Sequence, residues 1–153
     1  MKNLSYSTTI EVMAGPIDVF NCINDVPGWF KDKGFEGSST KPGDEFIFRY
    51  GEGDHAHYSK QQLAEFIPGK KVAWLITESK INWIPNQKEE WTNTKVIFEI
   101  SEKDNKTVLH FTHEGLVPEL NCYPNTVIGW NMIIKEWLFN FINAKHPGNG
   151  VNG

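Results

Sequence analysis

Residues Thr107–Leu116 read TVLHFTHEGL, and which of the two histidines turns inward decides how the chain is built. Side chains alternate faces along a strand, so two residues three apart lie on opposite sides. Leu109 and Phe111 share the parity of His113, whereas Val108 and Thr112 share that of His110. The first set is the more apolar, so His113 is expected to face a core and His110 to face solvent. A buried imidazole needs a hydrogen-bond partner. A packed core histidine meets that need, and so does a histidine lining a pocket. The alternation leaves the two readings open. Glu114 is expected to point outward unless Gly115 introduces a bulge.

The same alternation extends backwards through the chain. Tyr6–Val12 places Tyr6, Thr8, Ile10 and Val12 on one face. Glu45–Tyr50 does so with Phe46, Phe48 and Tyr50, Lys71–Glu78 with Val72, Trp74 and Ile76, and Trp91–Ser101 with Val96, Phe98 and Ile100. His55–Ile67 reads as a long strand closed by Pro68-Gly69. Turns are expected at Lys41-Pro-Gly-Asp44, Gly51–Asp54 and Asp104-Asn105, and a long loop at Lys80–Glu90. After the first strand, Gly15-Pro16 starts a helix that runs to Val26, with Ile17, Val19, Phe20 and Ile23 as its apolar stripe and Asp18 in its first turn. Pro27-Gly28 stops it, and Trp29 and Phe30 return to the core on a second helical turn.

Asn125–Asn143 reads as one long amphipathic helix. At 100° per residue, Val127, Trp130, Ile133, Ile134, Trp137, Leu138 and Phe141 form a wide face, opposed by Asn131, Lys135, Glu136 and Asn140. One strand, short helices, a run of about six strands and a long covering helix give an α+β architecture built on an antiparallel sheet.

Composition narrows the function. The chain has 153 residues, enough for one domain with one core, and residues 146–153 read as a flexible tail outside a domain spanning 1–145. A net charge of −4 with dispersed lysines disfavours nucleic-acid binding. The apolar stretch Val127–Ile142 is too short and too polar to insert in a membrane. The opening MKNLSYSTTI lacks the apolar run of a signal peptide, so a cytoplasmic protein is expected. Cys22 and Cys122 lack a CxxC neighbour and read as reduced, apolar fillers. His55-Ala-His57 shares one strand face, but only Asp54 lies nearby as a third ligand, so no metal is expected. No Gly-rich phosphate loop occurs, and no cofactor is expected. Six Trp, ten Phe and four Tyr stand out, because aromatic surplus on a sheet is also how apolar pockets are lined.

These motifs, taken in order, carry a resemblance. Thr112-His-Glu-Gly115, followed by Gly129-Trp130 in the last helix, resembles the family named for the activator of heat-shock-protein-90 ATPase homologue, within the START-like (SRPBCC) superfamily. So do Ile10-Glu-Val12 with Pro16-Ile-Asp-Val-Phe20, Trp29 after the first helices, Gly43-Asp-Glu-Phe46, Glu65-Phe-Ile-Pro68 and Lys71-Val-Ala-Trp74. The similarity spans about residues 5–143. It departs at Gly69, where a second proline is common, and at Cys122-Tyr-Pro124. The resemblance implies a helix-grip fold, a curved antiparallel sheet wrapped around the C-terminal helix with a cavity between them. In the superfamily that cavity holds lipids, sterols, polyketides or other apolar molecules.

The expected function is therefore binding of a small hydrophobic, aromatic or lipid-like molecule. Its wall would be the inward sets: Phe46, Phe48, Tyr50, Trp74, Phe98, Phe111, His113, Trp130, Ile134 and Trp137. The plain alternative is that these rings only fill the core. His113, Tyr50 and Trp130 each add a polar atom to an apolar wall, which can orient a ligand. A second reading is a cavity enzyme, of cyclase, aromatase or hydrolase type, with His113 as acid/base and Tyr50 as hydrogen-bond donor. A third is a chaperone-linked or other protein-binding module. The name-giving member's action on a chaperone goes with an additional N-terminal domain that 153 residues leave no room for, so the resemblance does not extend to it. Ile128, Met132 and Phe139 lie on the polar arc of the last helix. They are either covered by neighbouring elements or form a homodimer contact.

Overall fold

The protein is described by a computed structural model covering residues 5–30, 35–50, 57–80, 90–120 and 122–146, excepting the side chains of Tyr50 and His57. Seven strands, β1 (Tyr6–Val12), β2 (Glu36–Gly37), β3 (Glu45–Tyr50), β4 (His57–Ile67), β5 (Lys71–Lys80), β6 (Lys95–Lys103) and β7 (Lys106–Glu114), form one sheet. Its order is β1-β7-β6-β5-β4-β3-β2, antiparallel throughout. Register shifts in the β4–β5 pair, which leave Thr77 of β5 and Ala64 of β4 unpaired, are the bulges that bend a strand and deepen the twist. One face is apolar. Along β7 burial alternates strictly, with Thr107, Leu109, Phe111 and His113 inside.

The hairpin between β6 and β7 turns at Asp104 and Asn105, at φ 54° and 68°. Two consecutive left-handed residues match the twist of the strands they join, and Asp and Asn tolerate that conformation. Several expected boundaries differ. The strand expected to begin at Trp91 begins at Lys95, because Trp91 to Asn93 form a turn with Asn93 at φ 72°. The first helix divides at Asp25 into α1 (Pro16–Asn24) and α2 (Val26–Trp29), with Pro27 and Gly28 inside α2. Proline is compatible with a helix's first turn, so it opens the second helix instead of ending the first. Ile17, expected on the apolar stripe, is instead 53% exposed, while Cys22 and Asn24 are buried.

The terminal helix begins at Tyr123, two residues earlier than expected, with Pro124 in its first turn. It runs as α3 (Tyr123–Met132), a π-helical segment Ile133–Leu138 and α4 (Phe139–Lys145). The buried stripe recurs every fourth residue: Thr126, Trp130, Ile134, Leu138 and Ile142. In a regular α-helix such a stripe drifts by about 40° per step, given 3.6 residues per turn. The wider i→i+5 turns of the π segment reset that drift, so the stripe stays on the sheet. A constant α pitch would turn Val127, Trp137 and Phe141 inward as well, and these three are only half-buried. The Tyr6 hydroxyl donates to Asn131 Oδ1 and ties β1 to this helix.

Candidate binding site between sheet and terminal helix

His113 is fully buried, and His110 lies outside, its Nδ1 2.8 Å from the Thr9 hydroxyl. The two rings thus take the sides that strand parity requires. Parity could not give the company His113 keeps. The indole N–H of Trp130 donates to Nδ1 at 3.0 Å, since an indole nitrogen can only donate. Nε2 then carries the proton and donates to Thr94 Oγ1 at 2.8 Å. Thr94 donates in turn to the carbonyl of Trp91 at 2.6 Å. The chain of bonds runs one way, from helix through imidazole to backbone, and occupies both ring nitrogens. Burial holds the His113 pKa down to about 3, so the ring is neutral near pH 7. Trp91 stacks on Trp130 at 6.1 Å and meets the His113 ring edge-on at 5.2 Å.

The position of Thr94 depends on Gly115, which stands at φ +99° after β7. A Cβ there would come within 2.8 Å of the Thr94 methyl. The bulge admitted for Gly115 from the sequence is thus a left-handed turn that lets two backbones approach.

From Trp130 the aromatic rings form a continuous series, or circuit, that starts and ends on the terminal helix. Trp130 meets Phe111 at 4.7 Å, Phe111 meets Phe98 at 5.2 Å, and Phe98 meets Trp74 at 5.0 Å. Trp74 meets Phe46 at 5.0 Å and Phe48 at 5.8 Å, and Phe48 stacks on Phe30 at 4.2 Å. Phe30 then meets Trp137 edge-on at 5.9 Å, returning the series to the helix it left. Ile134, fully buried, lies on the helix between the two ends. The circuit joins most of the side chains expected to line a site. Trp137, half-buried, is its outward corner.

The Tyr50 and His57 side chains, the turn expected at Gly51–Asp54 and His55-Ala56 lie outside the described residues, as does most of the loop expected at Lys80–Glu90 and the tail after His146. Among the described residues no group of His, Cys, Asp or Glu is arranged to hold a metal. Cys22 and Cys122 are free and buried, and burial pushes both thiols up to about 11. Surface depressions of about 220 Å³ lie beside α1 and α4, beside Thr40 and Phe66, and at the β2–β3 edge.

Sequence reasoning left Trp91, which belongs to a turn, off the site, and it returned Trp29 to the core without placing it at the site, where it stacks on Trp74 at 6.4 Å. It also missed the inner face of β4. There Ser59, Gln61 and Leu63 are buried, and the alternation of Ser59, Gln61 and Leu63 with Lys60 and Gln62 was a signal that could have found them.

No family model matches the sequence, and no curated protein matches it. Solved structures do match over nearly the whole chain. Aha1 from Colwellia psychrerythraea, determined as a dimer, is 20% identical and superposes with a TM-score of 0.68 over 98% of this chain and 100% of its own. CalU16 from Micromonospora echinospora is 16% identical, with a TM-score of 0.61 over 91% of this chain and 76% of its own. DynU16, a protein of the dynemicin biosynthetic locus, is 13% identical, with a TM-score of 0.61 over 95% of this chain and 49% of its own. At such identities the likeness establishes a common fold.

Proposed function

We propose that this chain, whose fold is the START-like helix grip, binds a small hydrophobic or aromatic molecule between its sheet and its terminal helix. The observation that carries the reading is the continuous series of rings that runs from Trp130 across the sheet to Trp137. A core needs volume filled, and aliphatic side chains do that well. A wall of stacked and edge-on rings that reaches the surface at a half-buried tryptophan also offers flat apolar faces to a guest. The His113 bonds support binding over acid/base catalysis. Both ring nitrogens are engaged by protein groups, and the proton on Nε2 points to Thr94 rather than to a substrate. His113 therefore orients Trp130 in the wall. The test is native mass spectrometry of the purified protein with organic extraction. A co-purified apolar species of fixed mass is expected. A protein that stays empty and fails to take up added aromatic hydrocarbons would refute the reading.

A homodimer contact is favoured by a separate observation. Ile128 is 68% exposed and Met132 40% exposed one turn apart on α3, and the Aha1 structure is a dimer. Light scattering on wild type and Ile128→Glu tests it: a mass of two chains falling to one supports the contact, and a monomeric wild type removes it. Among the described residues no helix is long and apolar enough to cross a membrane.

A further inference from the structure

Three buried polar side chains lie together on the inner face of β4 and β5. Ser59 is 0% exposed, Gln61 1% and Trp74 1%. Ser59 Oγ, Gln61 Oε1 and Trp74 Nε1 have no hydrogen-bond partner among the described residues. The amide nitrogen of Gln61 donates to the Phe46 carbonyl at 3.4 Å, which leaves its oxygen free. Register sets Gln61 between the other two. Ser59 and Gln61 share a face of β4, Gln61 pairs with Ile76, and Trp74 is two residues along β5 from Ile76, opposite Leu63. Gln61 and Trp74 are thus diagonal neighbours, within reach for long side chains. Ser79, opposite Ser59, shows the contrast. It is also buried, yet its hydroxyl is 2.8 Å from that of Thr92.

Unpaired buried polar groups cost stability, and native proteins rarely keep them without a use. These three are embedded in the ring circuit. Trp74 contacts Phe46, Phe48 and Phe98, and Ser59 and Gln61 are paired across the strands with Phe48 and Phe46. Their chemistry is complementary to one kind of group. Trp74 can only donate, Gln61 Oε1 can only accept, and Ser59 can do either. A hydroxyl both accepts and donates, so it satisfies a donor and an acceptor at once. A ketone would leave the Gln61 oxygen unpaired, and a hydrocarbon would leave all three. No Lys, Arg, Asp or Glu is buried among the described residues. A carboxylate or ammonium entering here would find no counter-charge, at a desolvation cost that neutral groups avoid.

Resting on the binding function proposed above, we propose that Ser59, Gln61 and Trp74 form the polar subsite of the interior, selecting a neutral aromatic guest that carries a hydroxyl. The probes are naphthalene, 1-naphthol and 1-naphthoate, with affinities measured by equilibrium dialysis against wild type and the Ser59→Ala/Gln61→Met double variant. In the wild type 1-naphthol binds about tenfold more tightly than naphthalene, as expected for two net hydrogen bonds. The double variant loses that preference, and its circular dichroism, matching that of the wild type, certifies its fold. Trp74→Phe, which keeps a ring and removes the N–H, reduces the preference independently and serves if the double variant does not fold. Equal wild-type affinity for naphthalene and 1-naphthol overturns the subsite, leaving the three groups to a trapped water and apolar binding intact. Naphthoate bound as tightly as naphthol overturns selection for a neutral guest. Failure of naphthalene and naphthol alike to bind overturns this proposal together with the binding function.

Discussion

The indole nitrogen of Trp130 donates to Nδ1 of His113 across 3.0 Å, joining the terminal helix to the seventh strand through a pair that is wholly inside the protein. The bond fixes the imidazole tautomer, because an indole cannot accept. The proton must sit on Nε2, toward Thr94. Nitrogen NMR of ¹⁵N-histidine protein should therefore show one pyridine-like Nδ1 and one protonated Nε2 for His113, unchanged from pH 8 to pH 5. A resonance that titrates near pH 6.5 would contradict the assignment.

The same burial makes folding stability depend on pH. The His113 pKa is about 3 in the folded chain against 6.5 for the free side chain. Above pH 6.5 neither state holds the proton, and the burial has no pH cost. Between 6.5 and about 3 the unfolded state takes up a proton that the native state refuses, so stability falls as pH falls. The slope from this one group approaches about 1.4 kcal/mol per pH unit. Urea titrations at pH 7, 6 and 5 should show it, and His113→Gln should remove it while other groups keep their own contributions.

Removing Thr94's hydroxyl leaves the Nε2–H of His113 buried without its acceptor. Thr94→Val is nearly isosteric, so its cost is chiefly the orphaned donor, about 1–3 kcal/mol. Thr94→Ser, which keeps the oxygen, should recover most of it. A loss in Thr94→Ser with little loss in Thr94→Val would mean that methyl packing, and not the bond, holds this corner.

Gly115 is where a single methyl should do comparable damage. At φ +99° an alanine is strained, and its Cβ would stand 2.8 Å from the Thr94 methyl. Gly115→Ala is expected to destabilise by about 1–3 kcal/mol and to shift the His113 resonances, because Thr94 must move. Gly43 is also at positive φ, but a Cβ there would meet no atom within 4 Å, so it gives the backbone strain without the clash. Gly43→Ala should leave the His113 resonances where they are.

Both cysteines are buried with thiols pushed up to about 11, first by desolvation. Thiolate is the reactive form, so neither should react with iodoacetamide at pH 8 within the time that urea-unfolded protein reacts fully. Rapid labelling of one site in the folded chain would show that its helix opens locally.

The local pattern of the chain determined much of this architecture. Strand parity put Phe46, Phe48, Trp74, Phe98, Phe111 and His113 on one side, because alternation is a property of the backbone and needs no partner to be read. Tyr6–Val12 and Glu45–Tyr50 were bounded by turn chemistry that is equally local. The terminal helix was legible as an amphipathic helix for the same reason. Its phase was not: the π segment exists because the sheet demands a four-residue stripe, and that demand comes from across the core. Trp137, inward at constant pitch, is therefore half-buried at the circuit's edge. Only tertiary structure decided what His113 does, since Trp130, Thr94 and Trp91 reach it from a helix, a neighbouring strand's approach and a turn. It also decided that Ser59, Gln61 and Trp74 follow one another across the inner face of β4 and β5. Hydrogen bonds between residues distant in the chain depend on register and on backbone approach to within about an ångström, and neither periodicity nor composition encodes those.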